Sequence, residues 1–379
     1  MNIFNLLNYS PEFGGGIAKH LSVLGRVAKS KGHNLILGFP KIRKWQDELQ
    51  ANSKVIIIPE IEQPLRSGFP KTLRKICEIH LIDIVHFHFL FALPFSLSFS
   101  FRQWKLPVIY HWHNPPMALN EFIIPKNKLV GKLKRFCSGL VARITDKRVI
   151  VQHISISREI TGLLIKNKWT RPEKITFLPN GISMIDSSNI IPKVKTNNLP
   201  IIGMVANFRP QKDHNTLLTA FSILMQKGIK SELWLVGDGP TKADLQKLVN
   251  ELVIDSNVRF LGTVSDLSEI YSKFDVFVLS THYEGHPFVI LEAMSYGLPI
   301  VATRVSSIPD VLTDGVNGLL VNPKDPNDLA QALENLITNN FLYSRISEAT
   351  IKNFERQLSF TDWADCVIAL YEHLLKIKA

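Results

Sequence analysis

The chain has 379 residues, of which 45% are hydrophobic, with a net charge of +11 and a mean hydropathy of +0.08. That length exceeds one ordinary core and suits two domains, and the composition excludes a disordered chain. The charge is uneven: residues 1–190 hold 27 Lys and Arg against 12 Asp and Glu, a net of +15, and the remainder holds 17 against 21, a net of −4, so an anionic surface is expected to meet the first half only.

The opening stretch, Met1 to Ser10, has no basic n-region and too short an apolar run for a signal peptide, and it reads as a first strand. Gly14, Gly15 and Gly16 follow, ahead of a helix starting near Ile17. Glycines there let a backbone come close to phosphate or substrate, although a glycine triplet alone marks only a loop. Neither a Gly-x-Gly-x-x-Gly fingerprint nor a Walker pattern occurs. Short apolar runs at Val55–Ile58, Ile82–Phe87, Val108–Tyr110 and Val149–Ile154 read as buried strands, with amphipathic stretches between them. Ile84 to Phe101 carries no charged residue and approaches the length of a membrane span, but His86, His88 and Pro94 interrupt it. A strand feeding a loop and an apolar helix fits it better. His111 and His113 lie two apart at a strand end and so share a face. With no third ligand evident and no Asp-x-Asp motif, a sugar or phosphate contact is expected there rather than a metal, and His111 reads as structural. Pro125 to Arg148 interleaves Lys126, Lys128, Lys132, Lys134, Arg135, Arg143, Lys147 and Arg148 with apolar residues. That is a basic amphipathic helix pattern suited to an anionic membrane surface, and no motif supports nucleic acid. Cys77, Cys137 and Cys366 are scattered and odd in number, as in a reduced cytosolic protein.

Two prolines among Ser, Thr and Asn mark a linker at about 186–199, and the strand series then restarts at Ile201–Val205, Leu233–Val236, Val258–Leu261, Val276–Leu279 and Ile300–Ala302. The expected division is 1–185, linker 186–199, 200–360, and a terminal helix, 361–379, packing back on the first domain. Strands alternating with helices predict an α/β protein with two doubly wound, Rossmann-like domains. Arg209 and Lys212 lie in a turn after Ile201–Val205, where a bidentate fork and a point charge suit a diphosphate. Gly237-Asp-Gly-Pro240 reads as a tight turn, structural or ligand-binding. The most informative stretch is Ser280 to Pro299. Glu284 and Glu292 stand eight positions apart across a strand-to-helix break, with Gly285 and Pro287 punctuating the turn and Phe288 to Met294 helical. Such a turn is where open α/β sheets bind anionic ligands. The bland alternative is a loop charge at Glu284 and a solvated helix residue at Glu292.

Taken together, these residues resemble the glycosyltransferase family 4 group of GT-B enzymes, over nearly the whole chain and most closely from Ile201 to Pro323. The resemblance rests on Glu284-x7-Glu292, Gly237-Asp-Gly-Pro, Asn257-Val-Arg-Phe-Leu-Gly262, and the tail from Pro299 through Asp314-Gly-Val-Asn-Gly to Pro323, with Leu178-Pro-Asn-Gly-Ile182 matching the entry to the second domain. It implies two Rossmann-like domains facing a cleft, and a retaining, metal-independent transfer of a sugar from a nucleotide diphosphate. It also implies roles for particular residues. Glu292 would hold the ribose, Glu284 the donor sugar, and Arg209 and Lys212 the diphosphate. The amides near Phe288 and Val289 would add helix N-terminal donors, and Phe260 and Leu261 would border the base. Gly15 and Gly16 would match the loop near phosphate and acceptor, and His113 a histidine near the donor sugar. One departure is visible: the family's usual Arg position, five before the Lys, is Asn207 here, and Arg209 comes two positions later.

The function expected is sugar transfer from a nucleotide-diphosphate donor, UDP-linked donors first, to a cell-surface glycan or lipid-linked acceptor at the inner face of the cell membrane. No cofactor beyond the donor and no metal is expected. The rivals are a non-catalytic nucleotide-sugar-binding partner and a same-fold epimerase or phosphorylase.

Overall fold

The computed structural model describes residues 1–8, 15–62, 69–88, 106–113, 150–183, 193, 199–264 and 266–378. The basic stretch Pro125 to Arg148 and Cys137 lie outside them, as do residues 89–101 of the uncharged run and most of the expected linker. The chain divides into two units, Met1–Gly181 with Leu358–Ala379, and Ile182–Gln357.

The first unit is built on a parallel sheet of β1 (Asn2–Leu7), β2 (Asn34–Phe39), β3 (Lys54–Ile57), β4 (Ile84–His88), β5 (Val108–Trp112), β6 (Ile150–Ser155) and β7 (Ile175–Phe177), in the order β3-β2-β1-β4-β5-β6-β7. Side chains alternate across the sheet, so both faces need cover. Phe4, Leu6 and Val85 pack with Phe69 and Leu73 of helix Phe69–Ile79 and with Ile160 and Leu164 of helix Arg158–Lys166. Ile3, Leu7, Ile84 and Ile109 point the other way, towards Leu21 and Leu24 of helix Gly15–Ser30 and Trp363, Val367 and Tyr371 of helix Phe360–Lys378. The terminal helix therefore closes the second face of the first unit. Its fit is tight where the chain leaves β7: a Cβ on Gly181 would lie 2.7 Å from the Ser359 carbonyl oxygen and 2.9 Å from Trp363.

The second unit repeats the plan with β8 (Ile201–Val205), β9 (Glu232–Val236), β10 (Val258–Gly262), β11 (Val276–Leu279), β12 (Ile300–Thr303) and β13 (Leu319–Val321), ordered β10-β9-β8-β11-β12-β13 and all parallel. The central strand β11 is apolar and buried at every position, as expected of a strand covered on both faces. Asp213, Asp325 and Asn339 cap helices His214–Gln226, Pro326–Thr338 and Asn340–Phe354 by accepting from first-turn amides. In each sheet the winding reverses once, between β1 and β4 and between β8 and β11. Those switch points open crevices at the carboxyl ends of the strands, where ligands of such sheets bind. Among the described residues no helix is long and apolar enough to cross a membrane.

Candidate functional site

The loops after β8 and β11 leave neighbouring strand ends at the switch point of the second unit, and their backbones are tied together. The His282 amide donates to the Gln211 carbonyl at 2.9 Å, and the Gln211 side-chain amide donates to the Tyr283 carbonyl at 2.7 Å. Ser280 and Thr281 hydroxyls add bonds to the carbonyls of Asp213 and Gln211. These ties bring Lys212, at the end of the turn Pro210–Lys212, onto Glu284, with Nζ 2.6 Å from Oε1. Glu284 is only 6% exposed, which rules out a solvated loop charge. A buried carboxylate persists where a cation and hydrogen bonds compensate its desolvation, and Lys212 is that cation. Arg209 is exposed at the start of the same turn, and among the described residues no carboxylate pairs with it. The site thus offers a cation paired to a buried carboxylate and a second, exposed cation on the same turn.

The turn after β9 forms another wall. The Phe208 amide donates to the Asp238 carbonyl at 2.9 Å, and a Cβ at Gly239 would sit 2.3 Å from the Phe208 carbonyl oxygen. Gly237 combines a φ of +138° with a hypothetical Cβ 2.1 Å from the Ala206 carbonyl oxygen. Only glycine meets both demands, so this turn is structural at the least. Phe260 on β10 packs edge-to-face on Phe208, and Leu261 lies beside it, half-buried.

Helix Phe288–Ser295 starts at the carboxyl end of β11, so the amides of Phe288 and Val289 lie in its first turn, at the positive end of its dipole. Glu292 stands one turn further along, half-buried, and accepts a hydrogen bond of 2.9 Å from the Tyr271 hydroxyl. Burial, with the nearby Glu292 charge, holds the Tyr271 phenol protonated, and its ring stacks on Tyr296 at 5.4 Å. The solvated reading of Glu292 gives way to a carboxylate held by a buried phenol. Burial lowers His286 to about 4, and burial reinforced by Lys212 lowers His214 to about 4, so both flank the site uncharged at neutral pH.

At the switch point of the first unit the sheet face is polar where an apolar layer is expected. Asn5, His86, His88 and His111 are all buried beneath helices Gly15–Ser30 and Phe360–Lys378. His88 lies 2.7 Å from Asn5 Oδ1 through Nε2 and 2.9 Å from His113 Nε2 through Nδ1. His86 Nδ1 lies 2.6 Å from the Tyr371 hydroxyl. Burial and mutual repulsion hold His86, His88 and His111 well below the usual histidine range, and burial, reinforced by the neighbouring His20, lowers His113 to about 3. Gly15 and Gly16 open the first helix, and His20 ties this end together. The Gly181 amide donates to His20 Nε2 at 3.0 Å, so Nδ1 carries the proton and donates to the Gly16 carbonyl at 3.0 Å.

The chain matches two family models: residues 14–184 fit "Glycosyltransferase Family 4", and residues 186–353 fit "Glycosyl transferases group 1". A lipopolysaccharide core biosynthesis glycosyltransferase of Rhizobium meliloti, LpsE, is 33% identical over 282 residues, 73% of this chain and 79% of that protein. The chain is a family 4 glycosyltransferase. Its fold is GT-B. The UDP complex of Anabaena HepE superposes with a TM-score of 0.78 at 16% identity, covering 98% of this chain and 100% of that one, and the lipopolysaccharide glycosyltransferase WaaG with 0.72 at 17%, covering 98% and 99%.

Within this glycosyltransferase the expected site residues fall into two groups. Arg209, Lys212, Phe260, Leu261, Glu284, Phe288, Val289 and Glu292 belong to the second unit, and Gly15, Gly16 and His113 to the first. Lys212 and Glu284 contact each other directly. Sequence reasoning missed Gln211, Tyr271, His20 and Asn5, whose partners lie 72, 21, 161 and 366 positions away. No local signal marks such pairs. The sequence presents His86 and His88 only as interruptions of an apolar run, although their two-residue spacing matches that of His111 on the next strand and His113 just past its end.

Proposed function

We propose that this glycosyltransferase moves a sugar from a nucleotide diphosphate, with retention at the anomeric carbon and no metal on the diphosphate, to a growing cell-surface glycan on a lipid carrier or lipid core. The observation that carries the reading is the buried Lys212–Glu284 pair at the switch point of the second unit, with Arg209 exposed on the same turn. In the proposed step the bond from the anomeric carbon to the diphosphate oxygen breaks, and its electrons leave with the diphosphate. Lys212 and Arg209 stabilise that charge, and the amides at Phe288 and Val289 add to it. The acceptor hydroxyl attacks from the same face and passes its proton to the departing phosphate oxygen. Glu284 binds the donor sugar, Glu292 the ribose, and Phe260 and Leu261 the base. UDP is the first base to try, in view of the UDP named with the similarly folded HepE.

The first unit is assigned the acceptor, with Gly15, Gly16 and His113 as its contribution to substrate binding. A surface-glycan acceptor is supported by the printed functions of relatives: lipopolysaccharide core biosynthesis for LpsE, and capsular polysaccharide biosynthesis for CapM of Staphylococcus aureus, 27% identical over 59% of this chain. The basic first half supports a place on the inner face of the membrane. To test the reading, the purified protein is incubated without metal with UDP-, GDP- and ADP-sugars, and thermal shift and slow donor hydrolysis are followed. One donor that both stabilises and is hydrolysed is expected. Stabilisation without hydrolysis, even with candidate acceptors, would favour a non-catalytic binding partner.

A further inference from the structure

Four imidazoles converge beneath the helical layer of the first unit. His86 and His88 alternate along β4 and so project from one face, while His111 lies on β5 and His113 just past its end. The parallel register sets His88 opposite His111. His86, His88 and His111 each turn a ring nitrogen inward, and these nitrogens all lie within 4.8 Å of one another. A sheet places three imidazoles around one point in just this way, with two from alternate positions of one strand and one from its neighbour.

Two further observations indicate a ligand. Among the described residues His86 Nε2 and both nitrogens of His111 are buried without a hydrogen-bond partner, a state that costs free energy unless something binds them. Two of the rings are also held from behind, His86 through Nδ1 by the Tyr371 hydroxyl and His88 through Nε2 by Asn5 Oδ1. Outer partners of this kind orient an imidazole and fix its tautomer when the opposite nitrogen binds a metal.

We propose that His86, His88 and His111 bind a divalent d-block cation of the zinc class, with water completing the tetrahedron. His88 Nδ1 exchanges its 2.9 Å contact with His113 Nε2 for the cation, which leaves His113 to the substrate role assigned above. His86 Nδ1–H then donates to the Tyr371 oxygen, and His88 Nε2–H to the Asn5 oxygen. An all-nitrogen set selects zinc, cobalt or nickel over magnesium and calcium, which require oxygen donors. Small inward shifts of the rings bring each nitrogen to about 2.0–2.1 Å from the ion. The cation binds and stiffens the first unit and has no part in the sugar-transfer step, so failure of either reading leaves the other standing.

The test is cobalt titration of tag-free, chelator-stripped protein, read by visible absorption. A single equivalent with the intense bands of a tetrahedral site is expected, together with a raised thermal transition. His86→Gln and His111→Gln should abolish the bands, and Tyr371→Phe should weaken binding roughly 10–100-fold. Replacing the exposed His373 with Gln should change nothing. His111→Cys guards against a folding defect, because it keeps a ligand and should add a sulfur-to-cobalt charge-transfer band. Wild-type protein without tetrahedral bands, or bands that survive in both His111 variants without the sulfur band, would overturn the site.

Discussion

Lys212→Ala gives the most informative stability change in the second unit. The ammonium lies 2.6 Å from the Glu284 carboxylate, with side-chain exposures of 19% and 8%. Unit charges about 3 Å apart attract by roughly 5–6 kcal/mol at an effective dielectric constant of about 20, before desolvation is subtracted. Desolvation cancels much of that in the intact pair, but a single deletion strands the surviving charge. Glu284 is the more buried partner, so Lys212→Ala should cost about 2–3 kcal/mol. In Glu284→Ala the ammonium can bend towards water, and the cost should be nearer 1 kcal/mol. The double variant strands nothing and should cost about 2 kcal/mol, which leaves a coupling of roughly 1–2 kcal/mol. Urea unfolding of the four proteins at neutral pH, followed by tryptophan fluorescence, measures each term. Single effects that add to within about 0.5 kcal/mol would refute the argument, because the charges would then be solvated independently.

Further outcomes follow from the same structure. Tyr271→Phe removes the bond that holds Glu292, so steady-state kinetics should show the donor KM rising about 3–10-fold with kcat within about twofold; a fall in kcat alone would contradict a binding role for Glu292. Gly237→Ala must force a Cβ against the Ala206 carbonyl at positive φ and should cost at least about 2 kcal/mol in the same urea assay. His286 and His214 have pKa values of about 4 in the fold against 6.5 when unfolded, so the unfolded chain binds the extra protons between those values. Stability should therefore fall as pH drops from 6.5 towards 4, by up to about 3 kcal/mol per histidine, and His286→Gln should flatten the slope by about one proton in thermal melts across pH. Anionic vesicles should retain the protein in flotation at low salt and release it at high salt. Equal retention on neutral vesicles would remove the basis for placing it at a membrane surface.

Much of the scaffold was legible because parallel strands buried on both faces carry uninterrupted apolar runs, as Val276–Leu279 and Leu233–Val236 do. The strands that escaped notice are short or broken. Ile175–Phe177 and Leu319–Val321 have three residues each, and Asn34–Phe39 contains Gly38, placed so that its backbone passes close to Leu6 and Phe4. The Lys212 and Glu284 positions stood out because strand-end turns are where charge gathers, and their pairing needed only adjacent strands. The buried histidine cluster was not legible. Its members alternate with apolar residues such as Phe87 and Trp112, and the residues that hold it, Asn5 and Tyr371, come from opposite ends of the chain.

The central claim is that the second unit binds and activates a nucleotide-diphosphate sugar through Lys212 and Glu284. The most direct measurement is the rate of donor hydrolysis, and of transfer once an acceptor is known, for wild type beside Lys212→Ala and Glu284→Gln, with folding confirmed by circular dichroism. Loss of charge stabilisation on the leaving diphosphate predicts rates about 10²–10³-fold lower in the Lys212 variant, and a sharp loss in the Glu284 variant. Wild-type rates in both folded variants would contradict the account and move the chemistry elsewhere in the molecule.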